Sequence, residues 1–291
     1  MEYDNLSISS GQILTEENLP IKYDLYSPIS GTRKDFPVII FLHGFKGFKD
    51  WGPFPDACED MARHGFGVLA INFSHNGIGN GRTEYERLDL FQKSTLTKDL
   101  DEIGVVIRAL QTGEIDDSHS NLNTDSIGIV GHSRGGHTAI AAAAEYESVK
   151  CLVTWAAVAD YLDRFSEKEI SDWEDKGFTI YKNSRTGQDM KVDKSWYDDT
   201  KENADRLIAL RRVKELVIPS LFIHGRKDED VAQSNSEELE IACGSKEKEL
   251  RLIAKAGHTF GASHPFEEEF FPPQFKELVD LTGAWFRQYL K

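Results

Sequence analysis

The sequence predicts an α/β fold: a mostly parallel, doubly wound sheet with a cap inserted into it. Three observations carry this expectation. Short, continuous apolar runs recur along the chain, as parallel strands buried on both faces require. Helical stretches alternate with them, and a βαβα order builds a parallel sheet through right-handed crossovers. One long segment, at about residues 160–206, breaks the alternation.

Residues 6–14 and 21–26 alternate apolar and polar side chains, as in an antiparallel opening pair. The buried runs follow at residues 37–42, 67–73, 127–130, 151–155, 221–223 and 250–253. Helices are predicted at about residues 54–64, 95–111, 134–146, 234–243 and 275–289. In the second of these, Leu96, Leu100, Ile103, Ile107 and Leu110 recur at helical spacing.

The segment at 160–206 has no buried-strand run but is rich in charge and in aromatics: Tyr161, Phe165, Trp173, Phe178, Tyr181, Trp196 and Tyr197. A structureless loop of that length is uncommon in a compact domain. It reads as a cap over the C-terminal strand ends, within one domain spanning residues 1–291. Two or three of its aromatics are expected on a pocket wall, with Trp173 and Trp196 the candidates; the competing reading is a mini-core of the cap's own. Its acidic run (Glu167, Glu169, Asp172, Glu174 and Asp175) reads as a solvated face, or as a field that disfavours anionic substrates.

Composition narrows the partners. Basic residues number 34 against 49 acidic ones, a net charge of −15. That balance argues against a nucleic acid or an anionic membrane surface as partner. The first residues lack the apolar core of a secretory signal, and no stretch has the length of a membrane span. The three cysteines, Cys58, Cys151 and Cys243, are widely spaced and odd in number. They read as buried free thiols in a reducing cytoplasm rather than as a disulfide framework or a zinc site.

The chemistry centres on Gly131-His132-Ser133-Arg134-Gly135, a Gly-x-Ser-x-Gly pattern between an apolar strand and the alanine-rich run at 139–144. A strand that turns sharply into a helix lifts the serine hydroxyl onto a tight corner. The helix N-terminus behind it favours an oxyanion. Serine needs a base, and the base needs an orienting carboxylate. Downstream, His224-Gly225-Arg226-Lys227-Asp228 and Gly257-His258 each follow a predicted strand, in the order acid then histidine. Asp228 and His258 are therefore the expected partners of Ser133. Glu229 and Asp230 adjoin the acid, and His264 is the rival base, although no strand leads directly into it. The oxyanion donors are assigned to the backbone N–H groups of Arg134 and of Phe45, the latter in His43-Gly44-Phe45.

The other histidines have plainer readings. His43 and His132 position the loop and the elbow, His137 is structural, and His224 is buried and hydrogen-bonded. His64 and His119 are exposed. His75, in the loop Ser74-His75-Asn76-Gly77, is a candidate substrate contact because loops at that face carry function. Gly77-Ile78-Gly79-Asn80-Gly81 is not a nucleotide loop, since Arg82 stands where the pattern needs glycine. No metal-ligand spacing occurs, and neither a metal nor another cofactor is expected.

These motifs together resemble the α/β-hydrolase superfamily, in its dienelactone-hydrolase and prolyl-oligopeptidase-related branch. The layout is similar to bacterial carboxylesterases and cinnamoyl esterases with a short cap. The resemblance implies a cofactor-independent serine carboxylesterase acting on small-molecule esters through an acyl-enzyme. Two features depart from the branch. Dienelactone hydrolases use a cysteine nucleophile where this chain has Ser133, which favours ester over lactone hydrolysis. The 291 residues also leave no room for the propeller of prolyl oligopeptidases. A small peptidase or amidase on the same triad, and a catalytically silent binding protein, are the alternatives.

Overall fold

A computed structural model describes residues 3–29, 35–116 and 121–291. The chain opens with an antiparallel pair, β1 (Leu6–Leu14) and β2 (Pro20–Pro28), as its alternation requires. Next come β3 (Asp35–Leu42), α1 (Phe54–Arg63), β4 (Gly67–Asn72), α2 (Leu88–Phe91), α3 (Leu96–Gln111), β5 (Asn121–His132), α4 (Arg134–Glu145) and β6 (Val149–Trp155). After the interruption described below, the alternation resumes with β9 (Ser220–Gly225), α10 (Ser234–Ala242), β10 (Lys248–Ile253) and α11 (Pro273–Tyr289). The main sheet runs β1-β2-β4-β3-β5-β6-β9-β10, parallel from β4 to β10. His119, expected to be exposed, lies outside the described residues.

Both faces of the sheet are covered, which is why its strands are apolar without alternation. All six residues of β4 are buried. One face packs Val38, Ile40, Leu69 and Ile129 against α3 and α4; the other packs Ile39, Phe41, Val130 and Val153 against α1 and α11. Trp155 Nε1 donates to Thr282 Oγ1 at 2.9 Å, tying β6 to α11. The three cysteines are free and buried, and burial raises each thiol pKa. No helix among the described residues is long and apolar enough to cross a membrane.

The segment between β6 and β9 adds no strand to the main sheet. It holds α5 (Tyr161–Arg164), α6 (Glu167–Lys176), a separate hairpin β7 (Phe178–Lys182) and β8 (Asp189–Asp193), α7 (Ser195–Glu202), α8 (Ala204–Leu207) and α9 (Ala209–Arg212). Local signals set these limits. Ser166 and Glu169 form a reciprocal capping box at the start of α6, and Gly177 ends it in the left-handed region at φ 76°. The hairpin strands are short and half-exposed, with Ile180, Lys182 and Asp189 facing out, so they lack the continuous apolar runs of the main sheet.

Register sets up the site. Leu42 pairs with Gly131, His132 with Trp155, and Trp155 with Ile223. The loops that follow these parallel strands leave the sheet at one level, the C-terminal edge where open α/β sheets bind ligands.

Candidate active site

Ser133 sits between β5 and α4 at φ 56° and ψ −114°, a region that a residue with a Cβ enters at a cost of about 1–3 kcal/mol. Crowding enforces it. A Cβ on Gly131 would lie 2.2 Å from the Gly135 carbonyl oxygen, and one on Gly135 would lie 2.5 Å from that of His43. Strand and helix therefore meet only through these glycines. The Ser133 N–H donates to the Trp155 carbonyl at 2.8 Å, which anchors the corner to β6.

The loop after β3 lies directly against this corner. A Cβ on Gly44 would be 3.1 Å from Ser133 Cβ. Gly44 to Gly47 form a turn closed by a 2.9 Å hydrogen bond, with Lys46 at φ 56°. Among the described residues, neither the Phe45 nor the Arg134 backbone N–H donates to a protein acceptor. His43 is buried with its Nδ1 2.9 Å from the Gly44 carbonyl, and burial lowers its pKa to about 4.

Asp228 and His258 come together from the loops after β9 and β10. His258 Nδ1–H donates to Asp228 Oδ2 at 2.8 Å, which fixes the tautomer and leaves Nε2 with a lone pair. Asp228 Oδ1 accepts the backbone N–H groups of Asp230 and Val231, each at 2.9 Å. Burial alone would raise the Asp228 pKa. The hydrogen bonds from His224, His258 and Val231 outweigh it and hold the carboxyl well below the usual range. His224 is wholly buried: its Nε2 lies 3.1 Å from Asp228 Oδ2, and its Nδ1 2.7 Å from Ser236 Oγ. It thus braces the carboxylate from behind, a contact the sequence did not reveal. Glu229 and Asp230 are exposed, and Val231 is buried.

Ser133 and His258 line one cleft of about 400 Å³. No hydrogen bond links the Ser133 hydroxyl to the imidazole here; such contacts commonly tighten on substrate binding. His132 Nε2 lies 2.9 Å from the His258 carbonyl oxygen. His264 is on the wall too, but its Nδ1 accepts the Gly52 N–H at 2.9 Å and, among the described residues, it has no carboxylate partner of its own. Asp228, Asp230 and His258 each offer a ligand atom within 4.8 Å of the others. The Asp228 oxygens and His258 Nδ1 are already engaged with one another and with backbone N–H groups.

Three expected substrate contacts sit elsewhere. Trp173 is fully buried, stacked on Tyr197 with ring centroids 5.5 Å apart, and its Nε1 donates to the Val192 carbonyl at 3.1 Å. Trp196 is buried between Phe45, whose ring it stacks on at 5.2 Å, and the Arg134 guanidinium at 4.9 Å. Both belong to the mini-core of the segment, because large rings with several aromatic neighbours gain more from mutual burial than from a wet wall. His75 does not line the cleft of Ser133: it borders two neighbouring hollows, one of them walled by Phe45 and Arg134, with its Nδ1 2.8 Å from Ser74 Oγ and its Nε2 3.0 Å from Lys98 Nζ. The residues that do reach the cleft from the segment are Asn183, Ser184 and Arg185, at the tip of the β7–β8 hairpin. The sequence carried a signal for them: the polar, glycine-containing turn Asn183-Ser184-Arg185-Thr186-Gly187-Gln188 between two alternating runs. His64, read as exposed, is partly covered beside Asp60.

Residues 62–270 match the prolyl oligopeptidase family. Among curated relatives, the uncharacterized peptidase YuxL of Bacillus subtilis is 22% identical over 96% of this chain. The chain spans 38% of that relative's length. The putative esterase YitV of Bacillus subtilis is 26% identical over 67% of this chain and 69% of its own. Among solved structures, Est1E of Butyrivibrio proteoclasticus with ferulic acid bound superposes with a TM-score of 0.69 at 17% identity, covering 94% of this chain and 97% of that one. The fold is that of the α/β-hydrolases.

Proposed function

As the chain belongs to the prolyl oligopeptidase family of hydrolases, we propose that it is a serine carboxylesterase acting on small carboxylic esters through Ser133, His258 and Asp228. The observation that supports this most is that His258, hydrogen-bonded to the buried Asp228, lines the same cleft as a serine at a strained strand-to-helix corner. Ser133 Oγ attacks the acyl carbon while His258 Nε2 takes the hydroxyl proton. Asp228 receives the Nδ1–H and stabilises the imidazolium. The free N–H groups of Phe45 and Arg134 donate to the carbonyl oxygen as negative charge develops on it. His258 then gives its proton to the leaving alcohol. A water, deprotonated by the same nitrogen, attacks the acyl-enzyme and releases the acid with Ser133 reprotonated.

A peptidase on the same residues is the second reading, favoured by the family and by the name of YuxL. Exopeptidases that recognise a free amine need a carboxylate in the cleft. The residues lining this one include no aspartate or glutamate, which favours esters. Alanine 4-nitrophenyl ester and alanine 4-nitroanilide, which share the acyl group, separate the two. The ester reading expects kcat/KM on the ester to exceed that on the amide by several orders of magnitude, and preferred amide cleavage would overturn it. A silent binding protein would show neither activity nor labelling by a serine-directed phosphonate.

A further inference from the structure

The cleft has an electrostatic character that the chain as a whole does not. The protein carries 49 acidic residues against 34 basic ones, yet the lining of the cleft around Ser133 includes Lys46 and Arg185 and no aspartate or glutamate, with the exposed carboxylate of Asp230 lying beside His258. The acidic run of the β6–β9 segment, which the sequence offered as a barrier to anions, does not line this cleft. Asp172 is paired with Lys168 and Lys176, and Glu169 with the α6 cap and the Tyr181 hydroxyl.

Both cations are held in place by neutral groups. Lys46 Nζ approaches the Lys182 carbonyl at 3.4 Å, and burial lowers its pKa although Asp230 pulls the other way. Arg185 Nη2 donates to the Thr83 carbonyl at 3.0 Å, and its guanidinium lies 5.7 Å from the Phe48 ring and 5.9 Å from that of Tyr85. Among the described residues neither forms an ion pair. A guanidinium offers five N–H donors in a planar fork that matches a carboxylate, and one carbonyl leaves most of them unused. Trp51 and Phe54 supply apolar wall in the same cleft.

We infer that Lys46 and Arg185 form a subsite for a carboxylate carried by the substrate, so that the preferred esters are those with an anionic group at one end and an aromatic or apolar body between it and the scissile bond. The inference rests on the esterase reading and names its substrate class. The long-range field of the protein repels anions, so the attraction is local and weakens with salt.

Two matched pairs of esters test it at pH 7.5. 4-Carboxyphenyl acetate against 4-carbamoylphenyl acetate places the charge on the alcohol half. Phenyl 4-carboxybenzoate against phenyl 4-carbamoylbenzoate places it on the acyl half. The readout is the ratio of kcat/KM for the carboxylate to that for its neutral partner. In at least one pair the ratio should exceed one, fall about tenfold in Arg185→Gln or Lys46→Gln, and fall in 0.5 M salt, as loss of a charge-assisted hydrogen bond would give. Ratios at or below one in both pairs, or ratios that neither substitution moves, overturn the subsite while leaving the esterase intact. Failure of the esterase reading looks different: none of the four esters turns over.

Discussion

The imidazole of His132 is hydrogen-bonded to the backbone carbonyl of His258, Nε2 to oxygen, at 2.9 Å, and the two rings lie with centroids 4.7 Å apart. Burial lowers the His132 pKa to about 3, so its ring is neutral at working pH and Nε2–H is the donor. The residue that precedes Ser133 thus clamps the loop carrying His258. The His132→Ala variant should lose about tenfold or more in kcat with a smaller change in KM, since the proposed base is left free to wander. His132→Gln, which keeps a donor, should recover part of the loss. Steady-state kinetics on one neutral ester measures both, and an unchanged kcat in the alanine variant would remove the clamp from the account.

Asp228 and Asp230 give opposite expectations. Asp228→Asn turns an NH₂ toward His258 Nδ1 and forces the wrong tautomer, at an expected cost of ~10²–10⁴ in kcat. Asp230 is exposed, and Asp230→Asn should cost less than about tenfold. A reversed ranking would mean that the third member of the triad is misassigned.

Trp173 and Trp196 should act through packing. Either change to alanine empties a buried site and should cost about 3–5 kcal/mol of stability. Trp196→Ala should also lower kcat, because its ring stacks on Phe45, whose N–H is a proposed oxyanion donor. Trp173→Ala should leave the relative rates on different esters unchanged. Thermal midpoints together with an ester panel decide this; a changed selectivity profile in Trp173→Ala would return that ring to the substrate.

Stability should fall on acidification from about pH 6.5. Burial lowers the pKa to about 4 for His43 and His137 and to about 3 for His132, against ~6.5 in the unfolded chain. The unfolded state binds more protons below ~6.5, so the stability of the three neutral rings is complete above that pH and drains as pH falls toward their folded values. Asp99, raised to about 6 by burial against the pull of Arg134, opposes this as one group against three. Urea midpoints at pH 7.5 and 4.5 should differ, less so in His137→Gln, and a flat profile would contradict the argument.

Much of this site was legible because its signals are local. The glycines around Ser133, the apolar strand before it and the turns carrying Asp228 and His258 each fit within a few residues. The antiparallel opening pair was legible in part: β1 alternates between cover and solvent, whereas β2, paired on both edges, is buried throughout its second half. What was missed depends on contacts distant in sequence. Nothing near Trp196 says that it meets Phe45, 151 positions away, and nothing near Arg185 says that a hairpin tip lines the cleft of Ser133. His75 was placed by its position after a strand, yet that loop turns its imidazole toward Lys98 on α3.

The central claim is that Ser133 is the nucleophile, and one variant tests it directly. Ser133→Ala, shown to be folded by circular dichroism, should lose several orders of magnitude in kcat on 4-nitrophenyl acetate, since binding and oxyanion donors alone supply only the residual rate. Intact-mass analysis of the same sample should show no adduct with a serine-directed phosphonate that labels the parent protein once. Near-normal turnover by the folded alanine variant would contradict the account.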